Sequence, residues 1–351
     1  MIQGRIMKSK SINLAALAIH VARRLGVIAL TIFGLLLLTF LIGRVMPIDP
    51  VLSVVGPDAD RSTYDQVYKQ MGLDRPLYVQ FGIYVNDLLH GNLGKALLTG
   101  HPITEDIKRV FPATMELATV AILLGILVGV PLGVFAATRH GRLGDHVVRV
   151  LSLFGYSTPI FWFGLMGLLI FYAKLGWVGG AGRMDIAFDG LMKSKTGFVL
   201  IDAIAAGEWE IFFSALRHIV LPACILGLHS TAYISRMTRS FMLAQLSQEY
   251  ILTARVKGLS ERRVIWGHAF KNILVQLLTI IALIYGNLLE GAVLIETVFA
   301  WPGFGSYLTG GLLLGDMNAV MGCVLVIGLI FVALNLLADA LYQVFDPRTK
   351  S

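Results

Sequence analysis

Of the 351 residues, 56% are hydrophobic and only 15% charged, against about 45–50% and about 25% in an average soluble domain. The apolar excess excludes a disordered chain, and the presence of only two cysteines excludes a disulfide scaffold. Length alone would point to two or three soluble domains; composition points instead to an all-α polytopic membrane protein.

A bilayer core of about 30 Å takes about 20 mostly apolar residues in a helix. Six stretches meet this. The first, 25–45, follows a basic cytoplasmic segment, 1–24. It is longer than a signal-peptide core and no small-residue cleavage site follows it, so it reads as an uncleaved first span. Segment 46–112 is too long for a structureless connection. It holds helix-like patches at 65–71 and 78–89 and turn signals at Gly56-Pro57, Gly91-Asn92 and His101-Pro102. A small extracytoplasmic subdomain is expected there. The remainder, 113–345, holds spans two to six.

Span two covers 117–138 and span three 150–173, with Pro159 predicted to kink the latter. A loop opening on Gly179-Gly180-Ala181-Gly182, a flexible turn, leads to an amphipathic run over 198–216 expected to lie along the membrane. Span four, 219–235, is short and carries His229 and Ser230. Span five, 273–295, carries Gln276, Asn287 and Glu290; span six, 318–345, carries Asn335 and Asp339. Cys224 and Cys323 fall in apolar stretches and read as packing residues.

The charges set the orientation. Segments 1–24, 138–149, 236–272 and 346–351 hold 17 Lys and Arg against 4 Asp and Glu. Segments 47–111, 176–216 and 296–317 hold 9 against 15. The first set is therefore expected in the cytoplasm, with both termini. The net charge of +7 is then a product of topology rather than a nucleic-acid signal.

The loop 236–272 is the most informative segment. Ser247 reads as an N-cap and Glu249 suits the first turn of a helix. Lys257 followed by Gly258 supplies a stop, and Ser260-Glu261 starts a second helix. Tyr250, Ile251 and Ala254 are predicted to share a face. The product is a short helix, a glycine elbow, and a helix leading into span five. A linker resting on lipid headgroups is the simpler alternative.

Here a resemblance enters. Glu249-Tyr250, Thr253-Ala254-Arg255 and Lys257-Gly258-Leu259, followed by His268-Ala269 and Asn272, resemble the coupling-helix signature of binding-protein-dependent ABC transporter permeases. The dipeptide/oligopeptide/nickel branch, and within it the B-type dipeptide permeases, is the nearest. Gly72-Leu73-Asp74-Arg75-Pro76-Leu77, Gly155-Tyr156-Ser157-Thr158-Pro159 and Glu296-Thr297-Val298-Phe299-Ala300-Trp301-Pro302-Gly303 are similar to that branch too, and the likeness spans nearly the whole chain. It departs at Leu252-Thr253-Ala254, where the general signature has Glu-Ala-Ala. The acidic contact cannot fall on Leu252; Glu249 is a candidate substitute, and the residue that replaces it stays open.

The resemblance implies a pore subunit of the inner membrane working with a second homologous permease, two cytoplasmic ATPase subunits that use ATP and Mg, and an extracytoplasmic binding protein. Di- or oligopeptides are the implied substrates, with nickel, opines or glutathione as the alternative. The chain has no phosphate-binding loop of the Gly-x-x-x-x-Gly-Lys-Ser/Thr type, so no cofactor is expected in it. Glu249, Tyr250, Ala254, Arg255, Gly258, Leu259 and His268 are the coupling candidates. Of these, Tyr250, Ala254 and Leu259 would form the buried contact, while Arg255, together with Lys257, would pair with partner acids or headgroups.

Span residues add pore candidates: Tyr156, Ser157, Pro159 and Trp162 in span three, and Asn287 with Glu290 as a polar stripe on span five. Plain helix packing is the alternative for each. Glu296, Trp301 and Gly303 are candidates for an extracytoplasmic gate or binding-protein contact, with interfacial anchoring as the alternative for Trp301. An intramembrane hydrolase built on His229 and Ser230 is a remote reading, because no prepared oxyanion site is visible.

Overall fold

The computed structural model describes residues 14–45, 50–56, 58–97, 99–192 and 194–345. The outer parts of the terminal segments, the Asp346-Pro347-Arg348 end and the side chain of Asp339 lie outside what it describes. Most of the described residues are helical. An isolated bridge between Lys95 and Pro102 is the only β pairing among the described residues.

Among the described residues five helices are long and apolar enough to cross a membrane: α1 (Leu14–Val45), α5 (Ile103–Thr138), α9 (Trp209–Leu246), α11 (Phe270–Val298, preceded by a π-wound stretch Arg263–Ala269) and α13 (Met317–Phe345), with the shorter α12 (Phe304–Leu314) between the last two. A sixth crossing is made by two helices, α6 (Leu143–Ser157) and α7 (Ile160–Gly167), the latter running on in π-wound turns to Lys174. The pair is bent by 92°. Thr158 sits at φ −84°, ψ 134°, the extended region that a following proline imposes. Pro159 is extended as well, so the helix must stop and restart.

Two spans differ from expectation. Helix α9 runs 38 residues, and the second half of the predicted surface run 198–216 is its first turns. Only α8 (Val199–Ala206) remains of that run, ended by Gly207 in the left-handed region. The Gly179–Gly182 turn is pinned rather than flexible: Gly179 N–H donates to Arg217 O at 2.8 Å and Gly182 N–H to Phe299 O at 2.9 Å. Cys323 is buried, as read, whereas Cys224 is exposed.

Packing fixes the helix directions. Gly125, Gly129 and Gly133 of α5 meet Ser230, Ile234 and Thr238 of α9 in rising order, so these helices run parallel. The segment between them must return across the membrane, which the bent pair does. Small residues every fourth position let two backbones approach without a lipid-facing driving force. A Cβ on Gly133 would lie 2.6 Å from both Ser235 O and Thr238 Cβ. Gly133→Leu is expected to cost about 1–3 kcal/mol or more by overpacking, read as a lowered Tm. Gly26→Leu, with no neighbour within 4 Å, should leave Tm unchanged.

The remaining contacts complete the layout. Gly286 of α11 packs on Leu334 of α13, and Gly43 and Gly328 match α1 antiparallel to α13. The segment after α1 forms α2 (Pro50–Val55), α3 (Arg61–Gln70) and α4 (Leu77–Leu89). Helix α4 lies against α1 rather than apart from it: Phe81 meets Phe33 and Phe40 edge-on, and the Thr39 and Tyr84 hydroxyls are 3.0 Å apart. Near α8, burial pushes the Asp202 carboxyl up. Donors from Ser194, Lys195, Thr196 and Gly197 outweigh this and hold it below its ordinary value.

Candidate functional site

Three places carry the candidate residues. The first is the loop element. Helix α10 (Glu249–Val256) ends in a Schellman motif: Gly258 N–H donates to Arg255 O at 2.9 Å and Leu259 N–H to Ala254 O at 3.3 Å. Gly258 sits at φ +79°, where a side chain is strained. The chain then re-enters helix on Ser260 O and continues through the π-wound stretch, which holds half-buried His268, into α11.

The faces of α10 differ from the sequence expectation. Ile251 and Ala254 are buried against Val134, Met242, Val264 and Ile273 of the same chain, so Ala254 is not a partner contact. Tyr250 sits at the flank, its hydroxyl donating to Gln245 Oε1 at 2.8 Å and accepting from Asn272 Nδ2 at 2.9 Å. Arg255 is paired across the elbow with Glu261 at 2.9 Å, not left for partner acids. Ser247 does not cap: its hydroxyl donates back to Ala244 O, and Gln248 holds the N-cap position. The outward face carries Glu249, Leu252 (64% exposed) and Val256 (81%) at helical spacing.

The second place is a pair of cavities. One of about 400 Å³ is lined by Tyr156, Ser157 and Pro159 at the bend, His229 and Tyr233 of α9, and Asn287 of α11. Its size lies in the ordinary range for small-ligand sites. It gathers four of the six pore candidates. Trp162 is half-exposed against Phe163 and does not line it. Glu290 lies in a separate narrow cleft between α11 and α13, beside Phe111 and Phe331. The expected Asn287–Glu290 stripe is therefore split between two surfaces. His229 stacks on Tyr156 with centroids 4.8 Å apart, while the Ser230 hydroxyl donates to Gly227 O. The two side chains part, and no serine–histidine couple forms.

A second cavity, of about 520 Å³, lies between α6 and α9 nearer the α10 end. It shares Tyr156 and Tyr233 with the first. Nearby, Asp145 is buried and takes Arg239 in two bonds of 2.6 and 2.7 Å plus Gly141 N–H, which ties α6 to α9.

The third place is the opposite end of the bundle. Glu296 is fully buried, accepting from Thr114 Oγ1 at 2.5 Å, Gly305 N–H at 2.6 Å and Ser306 N–H at 3.0 Å. Trp301 is 1% exposed and donates from Nε1 to Ala113 O at 3.0 Å. Gly303 sits against the Glu296 carboxyl, where a Cβ would not fit. Buried Glu116, bonded to Arg183 and to Leu200 N–H, adjoins this knot. Glu296 and Trp301 are thus inaccessible to a docked protein, and Trp301 is no interfacial anchor. Sequence reading missed the Glu116–Arg183 pair and the glycine stripe; only the stripe had a signal, its period of four. Among the described residues no group of three or more His, Cys, Asp or Glu side chains could hold a metal ion.

Residues 129–351 match the family described as "Binding-protein-dependent transport system inner membrane component", and residues 17–118 match its N-terminal counterpart. The chain belongs to this family. It is therefore a transport permease of the inner membrane, a component of a system that also uses a substrate-binding protein. Similar relatives include the probable D,D-dipeptide transport system permease protein DdpB of Escherichia coli K12, 43% identical over 92% of this chain and 94% of that one. The di/tripeptide transport system permease protein DppB of Pseudomonas aeruginosa UCBPP-PA14 is 42% identical, covering 94% and 98%. The dipeptide transport system permease protein DppB of Escherichia coli K12 is 40% identical over the same shares.

Proposed function

We propose that this chain is one half of the pore of an ATP-driven importer of di- and oligopeptides. Its working assembly would include a second homologous permease, two cytoplasmic ATPase subunits using ATP and Mg, and an extracytoplasmic binding protein. The peptide substrate rests on the names of the relatives. The basic face that carries α10 is read as cytoplasmic from the charge distribution.

The observation that carries the coupling reading is the elbow at Gly258. Helix α10 is anchored inward by Ile251 and Ala254, and it leaves Glu249, Leu252 and Val256 facing outward for a groove on the ATPase. Closure of the ATPase pair pushes α10, and the continuous helix from Arg263 to Val298 carries the push to Asn287 in the cavity.

Gly258→Pro tests this. Proline is locked near φ −65° and lacks the N–H that bonds to Arg255. The variant is expected to insert and assemble. Its binding-protein-stimulated and peptide-stimulated ATP hydrolysis in proteoliposomes should fall to the unstimulated rate. Stimulation at the wild-type level would refute the coupling role of the elbow.

A further inference from the structure

The chamber between α6 and α9 has a one-sided charge. Arg149, Arg236 and Arg239 line it together with His146, and no acidic residue does. Arg239 is neutralised by Asp145. Arg149 and Arg236 have no carboxylate within ion-pair distance among the described residues. Arg236 is nevertheless held in place: its guanidinium lies 5.6 Å from the Tyr156 ring centre and 5.0 Å from that of Tyr233. Cation–π contact positions the group while leaving its N–H donors free. Beside it on the chamber wall, Ser235 is 1% exposed, and its buried Oγ has no hydrogen-bond partner. A buried hydroxyl without a partner is costly, which marks a place where a ligand or water completes the set.

Tyr156 and Tyr233 also line the cavity at the α6–α7 bend, so the Arg236 clamp stands where the two spaces meet. A peptide moving from the bend toward the α10 end passes this clamp. We propose that Arg236, with Arg149 and the Ser235 hydroxyl, receives the C-terminal carboxylate of the translocating peptide. Two unpaired guanidinium groups and a hydroxyl match a carboxylate by charge and by hydrogen-bond donors. The aromatic pair supplies apolar walls for the adjoining side chain. This proposal rests on the peptide-import reading.

The test uses the complete transporter in proteoliposomes with its binding protein in every arm. Uptake of alanylalanine is compared with that of its C-terminal amide. Because the same binding protein serves all variants, a change in the acid-to-amide ratio reports on the permease. Arg236→Gln is expected to lower that ratio about tenfold, the scale of one lost charge-assisted bond. Arg236→Lys should restore part of it, and Ser235→Ala should lower it by a smaller factor. Equal loss for acid and amide in Arg236→Gln would overturn the proposal in favour of a packing role. Each arm is repeated in phosphatidylcholine and in phosphatidylglycerol-rich vesicles. An Arg236→Gln effect that appears only with the anionic lipid, and on both peptides alike, would assign the chamber to a lipid phosphate and overturn it too. Wild-type vesicles that import neither peptide would instead strike the import reading beneath the proposal.

Discussion

On the proposed coupling role of α10, Leu252→Asp with Val256→Asp is expected to strip the ATPase from the membrane complex without unfolding the permease. Both side chains point away from their own chain, 64% and 81% exposed. The inward anchors Ile251 and Ala254 are untouched. In an apolar groove the two carboxylates would lose hydration without gaining partners, at several kcal/mol for an unpaired buried charge. At about 1.4 kcal/mol per factor of ten, the double variant should bind the ATPase at least about 100-fold more weakly. Co-purification of the ATPase with affinity-tagged permease measures this, with melting of the permease alone as the control. Leu252→Met conserves volume and should retain the ATPase. Full co-purification by the aspartate pair would remove α10's outer face from the interface.

The same helix shows where sequence legibility ends. The stop at Lys257-Gly258 is local chemistry, and both the elbow and its cap follow from it. Which face looks inward is not local. Ile251, Leu252, Ala254 and Val256 put apolar groups on both sides of an eight-residue helix, and only the position of α5 and α9 chooses between them. The ends of α9 follow a related logic. Hydropathy detects lipid contact, so it finds the middle of the helix. The ends fall below the signal because Glu210, Arg217 and His218 interrupt the first turns and Arg236, Arg239, Ser240 and Gln245 the last. The bend at Thr158-Pro159 was legible because proline restricts its predecessor. The Asn287–Glu290 stripe failed for a geometric reason. Three residues turn a helix to within about 60° of the starting face, and α11, gripped on one side by α9 and on another by α13, has different neighbours across that angle.

Glu296→Ala is expected to be the most destabilising single change at the end of the bundle opposite α10. Glu296 and Thr114 are 182 positions apart, and no sequence period joins them. In space they close one knot, because the Thr114 hydroxyl also accepts from Phe304 N–H at 2.7 Å while donating to Glu296. Alanine leaves Thr114, Gly305 N–H and Ser306 N–H without their acceptor in a site closed to water. Each such group costs about 1–3 kcal/mol, so the total is roughly 3–6 kcal/mol after partial relaxation. Glu296→Gln keeps one acceptor oxygen and should fall between. Thermal unfolding of the purified permease gives the order wild type, Gln, Ala, and the loss of blue-shifted emission from buried Trp301 should track it. A binding-protein contact predicts the reverse pattern: capture of the binding protein would weaken while the melting temperature stayed at the wild-type value. Burial of both Glu296 and Trp301 argues for the first pattern, because a residue with no accessible surface reaches an outside partner only by first opening the knot it holds shut.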